Sequence, residues 1–161
     1  MIASRFQLQA FSFMKEEKII NSYKDLIVWQ KAIDLVVLIY ALTKNFPQTE
    51  IYALTSQMRR CAVSIPANIA EGRHRGTRKD FVQFLRITYG SGAELETYIE
   101  IAKKLKFGSD ADYSKVDSLL NEVMRMLNSM ILKLKATSYK LEPRSFFTAV
   151  EGSKRRSLFY W

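Results

Sequence analysis

The sequence predicts an all-α protein that folds as an antiparallel, up-down-up-down four-helix bundle. Apolar residues recur at helical spacing in four segments, and only short breaks separate these segments. Glycine and proline are scarce, with 6 and 3 in 161 residues, which disfavours the frequent turns of an all-β chain. Short connections place consecutive helices antiparallel. At this length we expect one domain with a substantial core.

The first helix is predicted to run from Asp25, which can cap it, to about Asn45. Its predicted inward stripe is Leu26, Trp29, Ile33, Val36 or Val37, Tyr40 and Thr43. The remaining positions of the second half are also largely apolar, so this helix is hydrophobic nearly all round. A helix of that kind is buried on more than one side. Because a small bundle offers too few neighbours, the pattern predicts burial between subunits.

The second helix is predicted to begin at Gln48 or Thr49, after the break at Phe46-Pro47. It should continue to Gly72, which is a suitable C-cap, and bend at Pro66, which cannot donate a backbone hydrogen bond. One side carries the apolar stripe Leu54, Met58, Cys61, Ile65 and Ile69. The other side carries a polar line, which consists of Gln57, Arg60, Ser64, Asn68 and Glu71. Two distinct faces predict two separate roles for this helix.

The third helix is predicted to run from Thr77, in a capping box with Asp80, to about Phe107. After Gly108 the fourth helix should span about Asp112 to Ala136. The core seam of the third helix is predicted as Phe81, Phe84 or Leu85, Thr88, Gly92, Leu95, Ile99, Ala102 and Leu105. Gly90 and Gly92 each cost a helix about 1 kcal/mol relative to alanine, which predicts close packing against a neighbour.

The bundle is assigned to residues 23–138. Residues 1–22 have no firm period and are predicted to be an irregular extension, and residues 139–161 an irregular basic and aromatic tail, with Pro143 marking the limit of order. The tail places Lys154, Arg155 and Arg156 beside three aromatic residues. Such a segment either follows a single strand of nucleic acid or is a frayed terminus.

The charge of the chain is strongly basic and locally concentrated. The formal net charge is +9, and residues 57–86 carry seven Lys or Arg against two Asp or Glu. This balance favours nucleic acid, an anionic membrane or an acidic protein as partner. The longest apolar run, residues 35–42, is too short to cross a bilayer. The single cysteine, Cys61, excludes an intramolecular disulfide and fits a cytoplasmic location.

No motif for catalysis is found. A di-metal carboxylate bundle needs Glu-x-x-His pairs, whereas His74 is the one histidine of the chain. Cys61 and Ser64 have no base beside them, and the positions before His74 lack the arginine that some four-helix ribonucleases use. A glycine-rich phosphate loop is also absent. We therefore predict no catalytic residues, no metal, no cofactor and no enzymatic activity.

The strongest functional signal is the basic turn, which consists of Arg73, Arg75, Arg78 and Lys79. Like charges at this density repel one another, so they gain nothing from folding. Arginine pairs with phosphate oxygens in a bidentate manner, and the following helix N-terminus attracts anions. The alternative is a solvated loop. The predicted nucleic-acid contacts are Arg59, Arg73, His74, Arg75, Arg78, Lys79 and Arg86.

The polar line is predicted to meet the third helix. Ser91, Glu94 and Thr97 lie there at matching spacing, beside Gly90. A buried polar network needs satisfied partners, and we predict an ion pair between Arg60 and Glu94. Such a network selects which helix faces or subunits fit together, while the alternative makes Arg60 and Asn68 ligand contacts.

Several motifs together carry a family resemblance. They are residues 23–32 (YKDLIVWQKA), Phe46-Pro47 with Glu50 and Tyr52, 54–60 (LTSQMRR), 64–72 (SIPANIAEG) and 89–91 (YGS) with 94–96 (ELE). Over roughly residues 23–135 the sequence resembles the four-helix-bundle proteins encoded in intervening sequences of bacterial 23S rRNA genes. Gly92 stands where the motif usually has a larger apolar residue, so packing at that point is expected to differ.

The resemblance implies further properties. Related proteins are accessory factors of diversity-generating retroelements, where they bind nucleic acid and a reverse transcriptase. Members form homopentameric barrels, which implies a homopentamer here. We therefore expect a non-enzymatic, ring-like homo-oligomer that binds RNA or DNA electrostatically with little sequence specificity. The alternative is an interaction scaffold that docks a partner such as a reverse transcriptase or a ribosomal component.

Overall fold

A computed structural model of the protein describes residues 21–141, with side chains described for 21–136. The four helices are α1 (Ile27–Thr43), α2 (Leu54–His74), α3 (Arg78–Lys104) and α4 (Asp110–Leu141). Two 3₁₀ turns, Tyr23–Asp25 and Gln48–Glu50, precede α1 and α2. Each helix packs against its neighbours in the chain, α4 closes the bundle against α1, and the α2–α3 contact is the most extensive. The described part contains no strand, and the predicted all-α four-helix bundle is confirmed.

The core lies between the four helices. On α2 the predicted stripe is confirmed, since Met58, Ile65 and Ile69 are fully buried and Cys61 is 2% exposed. On α3 the seam is also confirmed except at Leu105, which is 51% exposed. On α4 the inward positions are Tyr113, Val116, Leu120, Val123, Leu127 and Ile131.

The orientation of α1 differs from the prediction. Its buried stripe is Val28, Ala32, Leu35, Ile39, Leu42 and Thr43. By contrast Ile33, Val37 and Tyr40 of the predicted stripe are 37%, 62% and 46% exposed. Because this helix is apolar nearly all round, its period cannot select the inward face, and packing against α2 and α4 selects it. The helix therefore presents apolar side chains on its outer surface.

Two helix starts also differ from the prediction. Asp25 does not cap α1; its carboxylate accepts the Ser22 amide at 2.8 Å and closes the preceding 3₁₀ turn. The predicted second helix is divided, because the backbone at Ala53 is not helical and α2 begins only at Leu54. The Glu50 carboxylate accepts the Leu54 amide at 3.3 Å, which links the short turn to the helix.

Gly72 is not the C-cap of α2. The helix passes unbroken through Pro66 and continues to His74. A Cβ at Gly72 would lie 2.4 Å from the Phe84 Cβ, so this glycine allows α2 and α3 to approach each other closely. Gly76 instead takes the left-handed conformation after the helix, with a φ of +83°. Close packing therefore explains Gly72, and turn geometry explains Gly76.

The start of α3 is close to the prediction. Thr77 Oγ1 accepts the Asp80 amide at 3.0 Å, as an N-cap does, and its hydroxyl donates to the Asp80 carboxylate at 2.6 Å. The helix ends at Lys104, three residues before the predicted end, because Lys106 adopts a φ of +58° and Gly108 one of +75°. Helix α4 begins at Asp110 and extends to Leu141, beyond the predicted Ala136.

Among the described residues, no helix combines the length and hydropathy needed to cross a bilayer. The predicted extension 1–22 and the predicted tail 139–161 lie almost entirely outside the described residues. Their assignment stays a prediction.

Candidate nucleic-acid interface

The basic turn lies at one end of the bundle. Helix α2 ends there at His74 and α3 begins at Arg78, so the turn is held between two helix termini. Arg73, Arg75, Arg78 and Lys79 are all exposed. The turn is short because Gly76 reverses the chain and Thr77 caps the next helix. The local sequence therefore places four cations on one short turn.

One of these four cations is already paired. Arg75 donates to the Glu71 carboxylate, one helical turn away, and its guanidinium lies over the Phe84 ring at 5.3 Å. The hydrogen bond to Glu71, with the negative charge of that carboxylate, raises the pKa of Arg75. Arg73, Arg78 and Lys79 form no ion pair with any described residue. The unpaired charge of the turn therefore rests on these three side chains.

His74 is engaged with the bundle surface. Its Nδ1 donates to the Ala70 carbonyl oxygen at 3.0 Å. Its ring meets the Tyr23 ring in a T-shaped contact with centroids 5.4 Å apart. These contacts give His74 a packing role between α2 and the turn before α1.

The two outlying arginines differ. Arg59 lies fourteen residues before Arg73, about 21 Å along α2. Its Nε donates to Thr43 Oγ1 at 2.9 Å and its guanidinium lies over the Tyr40 ring at 4.7 Å, so Arg59 does not belong to the basic turn. Arg86 is exposed and seven residues after Lys79, which places both on one face of α3. The unpaired basic surface therefore continues from the turn along α3.

In the described structure, Ser64 is the residue of the polar line that forms a hydrogen bond with α3, so the predicted network is found only in part. Ser64 Oγ and Ser91 Oγ are 2.9 Å apart, and Asn68 Nδ2 donates to Ser64 Oγ at 2.8 Å. Asn68 also donates to the Ser64 backbone carbonyl at 2.9 Å. The bond between Ser64 and Ser91 joins α2 to α3, whereas both Asn68 bonds lie within α2. Gln57 is half-buried, at the start of the line.

The predicted ion pair between Arg60 and Glu94 is wrong. Cys61 Sγ donates to Glu94 Oε2 at 3.3 Å, while Arg60 is exposed and forms no ion pair with a described residue. Burial, then the hydrogen bond to Glu94 and its negative charge, raise the pKa of Cys61 to about 11, against a smaller opposing effect of Arg60. The sequence indicated the shared face of Arg60 and Glu94. It did not indicate that the Cys61 thiol, between the two helices, donates a hydrogen bond to the Glu94 carboxylate.

The two neighbouring glycines of α3 have different surroundings. A Cβ at Gly92 would lie 2.2 Å from Met124 Sδ, so the predicted close approach is found there, against α4. A Cβ at Gly90 would meet nothing within 4 Å, so the predicted close neighbour of Gly90 is absent from the described chain. Gly90 therefore borders open space beside Ser91.

Among the described residues, no group of three or more His, Cys, Asp and Glu side chains is placed to hold a metal ion.

The fold and the basic turn together define a small all-α bundle with an exposed, partly unpaired cationic end. The model of the 23S rRNA-intervening sequence protein family matches residues 24–129, about two thirds of the chain. The chain belongs to this family, which confirms the resemblance drawn from its motifs.

A solved structure supports the same assignment. The chain is similar to a crystal structure of a protein with unknown function from the S23 ribosomal protein family of Bacteroides thetaiotaomicron. The sequence identity is 25% and the TM-score is 0.59, over 65% of this chain and 98% of the other. No curated protein matches the chain. The relation to retroelement accessory proteins stays a prediction.

Proposed function

We propose that this protein is a non-enzymatic, homo-oligomeric bundle that binds RNA or DNA through its basic turn. The observation that carries the proposal is the set of exposed cations without an acidic partner among the described residues: Arg73, Arg78 and Lys79, continued by Arg86. Three such cations raise the electrostatic energy of the folded chain, and a polyanion removes that cost. Phosphate contacts of this kind position a nucleic acid without reading its sequence.

The start of α3 supports an anionic partner at the same place. Helix N-termini carry unpaired amides and a partial positive charge. Thr77 Oγ1 accepts the Asp80 amide and the Thr77 carbonyl accepts the Phe81 amide, whereas the amides of Arg78 and Lys79 donate to no described group. Asp80, whose carboxylate accepts from the Thr77 hydroxyl, opposes this effect in part, but the four cations of the turn outnumber Glu71 and Asp80. The net local charge of the turn stays positive.

Self-association is the second part of the proposal. Ile33, Val37 and Tyr40 are spaced four and three residues apart, so their exposed side chains form one apolar stripe along α1. Exposed apolar surface of this kind is typical of protein interfaces. We propose that a second copy of the chain covers it, in a ring that the family resemblance implies to be a pentamer. A ring would repeat the basic turn around one rim.

The competing function is an interaction scaffold located, like the first, in the cytoplasm. There the α1 stripe would dock a different protein, such as a reverse transcriptase or a ribosomal component, and the basic turn would contact an acidic surface of it. The two functions differ in what the purified protein does alone. Only the first predicts binding to a bare polynucleotide.

Fluorescence anisotropy with a labelled 20-nucleotide RNA and a DNA of equal length tests the proposal. Titrations at several salt concentrations between 50 and 300 mM should give an affinity that falls steeply with salt, because each phosphate contact releases counterions. RNAs of unrelated sequence should bind within a few-fold of one another. Binding that is absent at 50 mM salt, or that does not change with salt, would contradict the proposal.

A further inference from the structure

A cleft adjoins the basic turn at the same end of the bundle. It has a volume of about 530 Å³ and lies between the start of α1, the α2–α3 turn and α4. This volume lies in the range of roughly 300–1,000 Å³ that small-molecule sites occupy. The cleft is therefore large enough for one planar ring system with its polar substituents.

The floor of the cleft is apolar. Leu26 and Phe81 line it and are each 8% exposed, so they reach the cleft from the core. Met130 of α4 adds a flexible, polarisable side chain beside them. An aromatic ring and a thioether together suit a flat, polarisable partner better than a bulky aliphatic one.

The rim of the cleft is cationic. Arg73 and Arg78 line it from the two sides of the turn, and Lys133 lines it from α4. Neither arginine has an acidic partner among the described residues, and Asp80 does not line the cleft. A ligand with an apolar planar body and a phosphate beside it would therefore match both parts of the site.

We propose that the cleft holds one unpaired nucleotide of a single-stranded nucleic acid, with its base against Met130 and the exposed edge of Phe81 and its phosphate between Arg73 and Arg78. The inference rests on the proposed function and specifies its site. A base in a duplex is stacked and paired, so it cannot enter without being extruded. The cleft thus makes the protein prefer single strands, while its apolar floor leaves base identity largely unread.

The test compares three ligands on the full-length protein, with each affinity expressed per phosphate: a labelled 12-nucleotide oligouridine RNA, the same backbone with abasic sites throughout, and a 12-base-pair RNA duplex. At 150 mM salt we expect the RNA single strand to bind about tenfold more tightly than the abasic strand, which lies in the lower part of the range for one base held against an aromatic side chain. The duplex should bind like the abasic strand. Equal affinity for all three ligands, with salt-sensitive binding retained, would overturn the cleft and leave the proposed function standing.

Two variants localise the effect. Met130→Trp fills the cleft without changing the charge. The variant should therefore bind the oligouridine and the abasic strand with equal affinity, while the salt dependence of binding is unchanged. Leu132→Trp is the matched control, because Leu132 is 57% exposed on the same helix and does not line the cleft. A preference that survives Met130→Trp would overturn the inference, and circular dichroism shows whether each variant is folded.

If Met130→Trp does not fold, photocrosslinking tests the same site on the unmodified protein. A 4-thiouridine strand bound to the unmodified protein should crosslink to the peptides that contain Phe81 or Met130. Crosslinks confined to other peptides would overturn the proposed site. Loss of binding to every ligand at low salt would instead contradict the proposed function itself.

Discussion

At the scale of single residues, three arginines within one turn have different surroundings. Arg75 is bonded to Glu71 and lies over Phe84, whereas Arg73 and Arg78 have no acidic partner among the described residues. In the sequence the three arginines look alike, because a count of charges does not show which guanidinium reaches a carboxylate. The spacing of Glu71 and Arg75, four residues apart on a helix, was the signal that could have separated them.

Release of Arg75 should strengthen nucleic-acid binding. In Glu71→Gln the guanidinium loses its anionic partner and becomes available to a phosphate. We expect tighter binding to single-stranded RNA and a salt slope steeper by about 0.7, the contribution of one additional contact. Glu96→Gln removes the same charge from a part of α3 distant from the turn and should leave the slope unchanged. Equal slopes for the two variants would show that Arg75 does not reach the phosphate.

The Cys61 thiol gives the fold a dependence on alkaline pH. Its pKa is raised from an ordinary 9.0 to about 11, chiefly by burial and then by Glu94. Because the folded pKa is the higher one, the thiol's contribution to stability is complete below about pH 9 and is lost as the pH rises towards 11. Urea unfolding should show that the stability difference between the wild type and Cys61→Ala is constant from pH 7 to 9 and declines above pH 9. A constant difference up to pH 10.5 would contradict this.

At the scale of elements, the α2 and α3 stripes were predictable and the α1 face was not. Helix α2 has one apolar and one polar side, so its period determines its orientation. Helix α1 is apolar on both sides, and only its neighbours determine that Leu35 and Ile39 face inward while Val37 faces outward. The role of Gly72 was missed for a related reason, since a close approach to Phe84 is a tertiary contact that local sequence does not carry.

Two glycines on adjacent helices should respond in opposite directions to alanine. Gly72→Ala places a Cβ against Phe84, and overpacking of this kind costs about 1–3 kcal/mol of unfolding free energy. Gly90→Ala enters open space on a helix and should stabilise the chain by about 1 kcal/mol. Urea unfolding of both variants measures the difference. Destabilisation by Gly90→Ala would contradict the open surroundings found at this position.

At the scale of the whole molecule, the fold and the family follow from the sequence, and the assembly remains a proposal. Four amphipathic segments with short breaks leave few alternatives to a bundle. Which of the predicted cations remain unpaired could not be predicted. Arg59 contacts Tyr40 and Thr43 near the start of α2, while Arg86 extends the basic surface of α3. Those contacts depend on how α1, α2 and α3 pack.

The outer face of α1 makes the assembly testable. Val37 is 62% exposed, and Val37→Glu would place a charge in the proposed contact between copies. Sedimentation velocity should show an oligomer for the wild type and a smaller species for Val37→Glu. Leu132→Glu adds the same charge on α4, at a side chain 57% exposed, and should keep the wild-type mass. A monomeric wild type, or an unchanged mass for Val37→Glu, would contradict self-association through this stripe.

The central claim is that the unpaired cations of the basic turn bind the phosphates of a nucleic acid. A triple variant removes them: Arg73→Ser, Arg78→Ser and Lys79→Ser. The control is a second triple variant that removes three exposed cations at the opposite end of the bundle: Lys44→Ser, Lys104→Ser and Lys115→Ser. The most direct measurement is the slope of log affinity for single-stranded RNA against log salt concentration. We predict a slope shallower by about 2 for the basic-turn variant and a slope close to wild type for the other, since each lost contact removes about 0.7. Equal slopes for the two variants would contradict the claim.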